Sequence, residues 1–189
     1  MARLLETDRT QARGAALLAR LDHAELRLCI TFNRGVHRVG LRRLFRIASR
    51  LGDGLVWYTL IAALPFLAGR AGLVTGLRMA IAGLVGLLLY RALKHRLVRE
   101  RPFITHHAIV RAAAPLDRFS FPSGHTLHAV CFTVLAIQAF PVLAWVLIPL
   151  ALLIALSRVV LGLHYPSDVL AGALLGEGIA QAALLLPLA

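Results

Sequence analysis

Sixteen residues, Val142 to Ser157, pass without a single charge. That run limits the fold more than any other feature of the chain. Arg158, His164 and Asp168 follow within eleven positions, and the chain then turns apolar again. Further apolar stretches cover residues 55–69, 76–93, 126–140 and 168 onward. With 59% of its 189 residues hydrophobic, the chain exceeds the ~45–50% of an ordinary soluble domain. The expected fold class is all-α: a multi-pass helical membrane protein with five transmembrane helices. Several stretches fall short of the ~20 residues a crossing needs, so they are expected to extend into the polar motifs beside them. Gly172-x-x-x-Gly176 and the small face of Ala80, Gly83 and Gly86 suit close helix packing.

The formal net charge is +12, and it is concentrated. Residues 1–54 carry eleven arginines and five acids. From Val36 to Leu51 the apolar and basic residues separate onto two faces, the pattern of an amphipathic helix lying in the membrane interface. Two domains are therefore expected: a basic N-terminal arm, 1–54, and a membrane-embedded part, 55–189. Gly52-Asp53-Gly54 breaks the amphipathic helix, and Asp53 is placed to cap the next one. Arg70 to Arg78 reads as a turn between two spans. Trp57, Tyr58 and Trp145 fit interfacial anchoring. The long uncharged runs argue against a nucleic-acid partner, leaving the bilayer and an anionic substrate as what the charge meets. The first 25 residues lack the apolar core of a cleavable signal. Cys29 and Cys131 make no metal-like spacing and read as buried free thiols.

Three clusters carry the chemistry. Lys94 and Arg101 stand seven apart, one face of a helix that Pro102 would end. Pro122-Ser123-Gly124-His125 immediately precedes an apolar helix, and a helix N-terminus with free N–H groups is a phosphate cradle. Arg158, His164 and Asp168 form the third cluster, with His164 kept in a loop by Pro166. If the segments on either side of Pro141 both cross, all three clusters share one membrane face. Three cations and a helix N-terminus, with no carboxylate cluster for magnesium, suit a phosphate and its transition state. One histidine attacks phosphorus and the other protonates the leaving oxygen. The assignment is His164 as nucleophile, His125 as general acid, and Asp168 fixing the His164 tautomer. His95, His106 and His107 lack a cysteine or acid to complete a tetrahedral set, so no metal or other cofactor is expected. His128, one turn after His125, reads as a packing group, and Glu177 inside the last span needs a partner.

The pattern Lys94-x6-Arg101-Pro102, then Pro122-Ser123-Gly124-His125, then Ser157-Arg158-x5-His164-x3-Asp168 resembles the type 2 phosphatidic acid phosphatase superfamily, over roughly residues 50–185. The resemblance implies a metal-independent phosphatase with a phosphohistidine intermediate and vanadate sensitivity. It implies phosphate binding by Lys94, Arg101, Ser123, Gly124 and Arg158. Small members act on undecaprenyl diphosphate, phosphatidic acid, phosphatidylglycerol phosphate or lipid A phosphates, so a lipid phosphate or diphosphate is the expected substrate. Two alternatives stay open: an enzyme like the vanadium haloperoxidases, which share the anion pocket, and a non-catalytic lipid-phosphate carrier or flippase. Orientation is contested. The positive-inside rule puts the arginine-rich face in the cytoplasm, whereas the resemblance implies an outward-facing site in the cytoplasmic membrane. The outward reading is adopted on the strength of the resemblance, with catalytic cations, kept for chemistry, discounted as topology signals. A sixth crossing within 15–50 would reconcile the two.

Overall fold

The computed structural model describes residues 22–115 and 117–187, so the first part of the basic arm lies outside the described residues. A helical stretch α1 (22–33) leads through the 3-10 turn Arg34–His37 into α2 (Val39–Leu51). There follow α3 (Leu55–Arg96), the short α4 (Pro102–Thr105), α5 (Gly124–Ala139), α6 (Ala144–Val160) and α7 (Pro166–Leu184). Among the described residues the one extended pairing is an isolated bridge between Glu100 and Phe119.

The long α3 is two helices. Ala68 (φ −132°, ψ 17°) and Gly69 (φ 53°, ψ −130°) leave helical geometry, and the chain reverses there. A Cβ on Gly72 would fall 1.9 Å from the Leu64 carbonyl oxygen, and one on Gly76 3.1 Å from that of Ile61. The two arms, 55–67 and 70–96, therefore run antiparallel in close contact. The turn sits at 68–69 rather than at Arg70 to Arg78. It needs one glycine with positive φ, and residues 70–78 are already helical. Arg78 donates to the Leu186 carbonyl (3.1 Å), holding the second arm to the end of α7.

α5 is the centre of the bundle, packed by α3, α6 and α7. Its closest approach is to α7. A Cβ at Gly172 would stand 2.5 Å from the Ser123 carbonyl oxygen, and one at Gly176 2.3 Å from that of Leu127. The two glycines let α7 press on the first turns of α5, which fixes the Ser123 backbone. Trp57, Met79, Phe132, Leu135, Ile154 and Ala180 fill the core. Trp57 is thus a core residue and not an interfacial anchor: it is 1% exposed, with its ring centroid 5.5 Å from that of Phe132. Tyr58 and Trp145 remain exposed. Glu177 accepts a hydrogen bond from Gln181 one turn on (2.7 Å).

Large apolar side chains cover the outside of the bundle, among them Phe66, Leu67, Val142, Val146, Leu170 and Leu174. In water such a surface is a liability, and in lipid it is the solvated face. Leu55–Arg96 and Pro141–Val160 are long and apolar enough to cross a membrane. The arm from residue 22 stays at one end of the bundle. Glu25 binds Arg99 and the Ser167 N–H, Asn33 binds the Val110 and Val160 carbonyls, and Ser49 meets Arg158. Phe45 and Ala48 bury one face of α2, leaving Leu44 and Ile47 exposed beside Arg43.

Candidate active site

The C-terminal ends of α3 and α6, the N-terminal ends of α5 and α7, and the α2–α3 turn converge at one end of the bundle. Lys94 lies in the last turn of α3. Arg101 is the N-cap of α4, with Pro102 at the first helical position. The two are not on one helix face. The α3 helix stops at Arg96, and Pro102 starts a helix instead of ending one, a position where its missing N–H costs nothing. A loop folds Arg101 back beside Lys94.

What joins them is Asp117, a residue the motif reading passed over. Its carboxylate takes Lys94 Nζ on both oxygens (2.5 and 2.6 Å), Arg101 Nη2 (2.8 Å) and the Tyr90 hydroxyl (2.6 Å). Arg101 is 1% exposed and spends its remaining donors on the Asp117 carbonyl (2.9 Å) and the Leu163 carbonyl (2.8 Å). Burial works to raise the Asp117 pKa, but the bonds from Lys94 and Tyr90 outweigh it and hold the carboxyl at about 2. Asp117 therefore contributes stability that is full above its ordinary value of 3.8 and is lost as pH falls through about 2. Asp117→Asn is expected to remove that acid dependence from the thermal melt. It should also tighten inhibition by inorganic phosphate roughly threefold to tenfold, since one competing anion is gone. Unchanged inhibition with an unchanged acid limb would contradict both statements.

His164 lies in the loop between α6 and α7 and is 2% exposed. Its Nε2 is 3.2 Å from Arg101 Nη1. Burial first, then the charges of Arg158, Arg101 and Lys94, hold its pKa well below the ordinary imidazole value. The ring is neutral at physiological pH, with a lone pair to give. Asp168 Oδ2 lies 3.6 Å from His164 Nδ1, within ion-pairing range and beyond hydrogen-bonding distance, so Nδ1 has no partner. The Asp168 carboxylate is instead engaged by the Tyr165 N–H (2.8 Å) and Arg99 (2.8 Å). Arg99 stacks on the Tyr165 ring and reaches Glu25 with its other arm.

Arg158, at the end of α6, is buried and binds the Ser49 hydroxyl, leaving its Nε unpartnered. Ser123 is the N-cap of α5 without a capping bond; its hydroxyl meets that of Thr126 (3.0 Å). Gly124 opens the helix, and a Cβ there would press on the Tyr90 ring at 3.0 Å. His125 Nε2 meets Asp53 Oδ1 at 2.6 Å. Asp53 is not the cap of α3: that position is Gly54, which has no side-chain bond to give. His128 ties α5 to α3 through the Gly83 carbonyl (3.2 Å).

Two cavities meet at His125 and Asp53. One of about 330 Å³ is polar, lined by Arg46, Ser49, Arg50 and Arg158 with the 113–115 loop. The other, about 420 Å³, is apolar and runs along Trp57, Tyr58, Met79 and Phe132. Every motif residue named from the sequence reaches this end of the bundle. Tyr90, Asp117, Ser49, Asp53 and Arg99 join them. Asp53 left a signal that read as a cap, and Asp117 left one as one of two acids among six basic residues between 94 and 125.

Fold and site together define a helical membrane protein with a cationic, histidine-bearing site at one end of its bundle. The chain belongs to the PAP2 superfamily, whose family model matches residues 71–188. It is 32% identical over 141 residues to an undecaprenyl-diphosphatase of Sulfolobus acidocaldarius, covering 74% of this chain and 67% of that one. It is 33% identical over 149 residues to a decaprenylphosphoryl-5-phosphoribose phosphatase of Mycobacterium tuberculosis, covering 76% and 79%. The fold matches that of a transmembrane PAP2-type phosphatidylglycerolphosphate phosphatase from Bacillus subtilis with a TM-score of 0.71, over 87% of this chain and 85% of that one, at 24% identity.

Proposed function

We propose that this PAP2-superfamily protein hydrolyses a membrane lipid phosphate or diphosphate through a phosphohistidine. The observation that carries the mechanism is the placing of His164, with Nε2 3.2 Å from Arg101 Nη1, inside a cluster of three cations at the mouth of α5. The phosphate dianion exchanges with the Asp117 carboxylate and takes Lys94 and Arg101. Arg158 and the N–H groups at Ser123 and Gly124 hold its remaining oxygens. His164 Nε2 attacks phosphorus, the P–N bond forming as the bond to the leaving oxygen breaks. His125 gives its proton to that oxygen. Water then gives a proton back to His125 as its oxygen attacks phosphorus, the P–N bond breaks, and phosphate leaves with His164 free and His125 reprotonated. Asp168 steadies the ring as it gains positive charge, its 3.6 Å separation shortening in the loaded enzyme, as catalytic hydrogen bonds often do.

Undecaprenyl diphosphate, phosphatidic acid and phosphatidylglycerol phosphate are the substrate classes this reading favours. The apolar cavity beside His125 suits the first part of a lipid chain, and the polar one suits its head. We read the two α3 arms, α5, α6 and α7 as five crossings. Residues 22–54 pack on one end of the bundle and help to line the site, and α2 lies in the interface with Leu44 and Ile47 toward lipid. The test is phosphate release by the detergent-purified protein from these lipids with EDTA present. Turnover is expected, and silence on every lipid phosphate would overturn the reading.

The site faces outward from the cytoplasmic membrane in this reading. Cys29 and Cys131 are buried, at 1% and 0% exposure, so a single cysteine added in the 103–120 connector can be labelled selectively. An impermeant reagent on intact cells is expected to label it; protection until lysis would reverse the orientation.

A further inference from the structure

Asp53 stands outside the segment matched by the family model, yet its carboxylate meets His125 Nε2 at 2.6 Å. It sits on the turn between α2 and α3, whose backbone is pressed against the ring: a Cβ on Gly52 would fall 3.0 Å from His125 Cδ2 and 2.9 Å from Ile154 Cγ2. Among the described residues, the hydrogen bonds of the Asp53 side chain go to His125 alone. We infer that Asp53 is the positioning residue of His125. It holds the imidazole by Nε2 so that the ring keeps its proton and turns Nδ1 toward the leaving oxygen.

The reason is electrostatic. The charged and titratable groups facing His125 are Asp53 on the turn, Arg158 on α6 and His128 on α5, with Arg46 and Arg50 of α2 around the shared cavity. The 113–115 stretch of that cavity carries no charge. Asp53 is the one anion in this set. An imidazole beside a guanidinium keeps a proton only with an anion opposite. The bond from His125, the largest influence on Asp53, holds that carboxyl below its ordinary value, so it stays ionised to do this. In the step itself the P–N bond to His164 forms, the leaving oxygen takes the bonding pair, and the proton passes from His125 to that oxygen. Asp53 remains a carboxylate throughout.

This inference rests on His125 being the general acid, and leaving-group dependence tests the two separately. The substrates are phosphatidic acid, whose alkoxide must be protonated, and p-nitrophenyl phosphate, whose phenolate leaves unaided. Asp53→Asn is expected to lower kcat/KM for phosphatidic acid roughly tenfold or more, and for p-nitrophenyl phosphate less than about threefold. The basic limb of the phosphatidic acid pH profile should move to lower pH, and Asp53→Glu should restore both the rate and the limb. His125→Asn should show the same substrate bias with a larger loss. If His125→Asn shows the bias and Asp53→Asn does not, the Asp53 inference fails alone. If His125→Asn slows both substrates equally, the general acid is elsewhere and the inference falls with it. An equal loss on both substrates in Asp53→Asn, with the limb unmoved, makes Asp53 merely structural and overturns the proposal.

Discussion

Arg101→Ala is expected to lower kcat/KM on a lipid phosphate by ~10³-fold, the lower end of what a guanidinium contributes to a phosphoryl transition state. The size follows from how many things the side chain does. It is 1% exposed and touches His164, the Leu163 carbonyl beside it, and both the carbonyl and carboxylate of Asp117. Truncation removes a charge from the phosphate and frees the loop that holds His164. Arg101→Lys keeps the charge but loses the planar fork, so it is expected to recover only a small part of the rate. Steady-state kinetics on both variants, with a thermal melt of each, check this. A lysine variant close to the unmodified rate would show that charge alone suffices.

His164→Ala is expected to reduce phosphate release by ~10⁴-fold or more, as loss of a nucleophile does in other enzymes with covalent intermediates. The residual rate is set by the cradle. Because Lys94, Arg101 and the α5 N-terminus remain, the variant should still bind inorganic phosphate. Removing the charges that depress the His164 pKa has a different signature from removing the ring. Lys94→Ala should move the acid limb of the pH profile upward, toward the ordinary imidazole value, because His164 then protonates more easily. Phosphate release measured with EDTA present, across pH, separates the two variants.

The helical stretches and the clustering of the motif residues were legible because their signals are local. An uncharged run, a Pro-Ser-Gly-His ahead of an apolar stretch and a glycine pair four apart each report their own helix. The parity argument then brought Lys94, His125 and His164 to one end, as the structure has them. Local spacing misled where backbone direction changes. Lys94 and Arg101 fit one helical face, but the helix ends at Arg96, and only the folded loop returns Arg101. The turn written as Arg70 to Arg78 is a two-residue reversal at Ala68–Gly69, because basic residues at a membrane edge can stay helical. The acids were the least legible. Asp117 lies 23 positions from Lys94 and Asp53 lies 72 from His125, and no periodicity joins residues across such gaps. Asp53 between two glycines also made a plausible cap, a local role that concealed a tertiary one.

The central claim is a covalent phosphoryl group on His164. The direct measurement is a rapid alkaline quench of the unmodified protein during turnover of a lipid phosphate, followed by mass spectrometry of its peptides under conditions that preserve phosphohistidine. The expected result is a phosphoryl group on His164 that forms before steady state and is absent from His164→Ala. Full turnover with no phosphorylated peptide, or a phosphoryl group on His125 in place of His164, would contradict it.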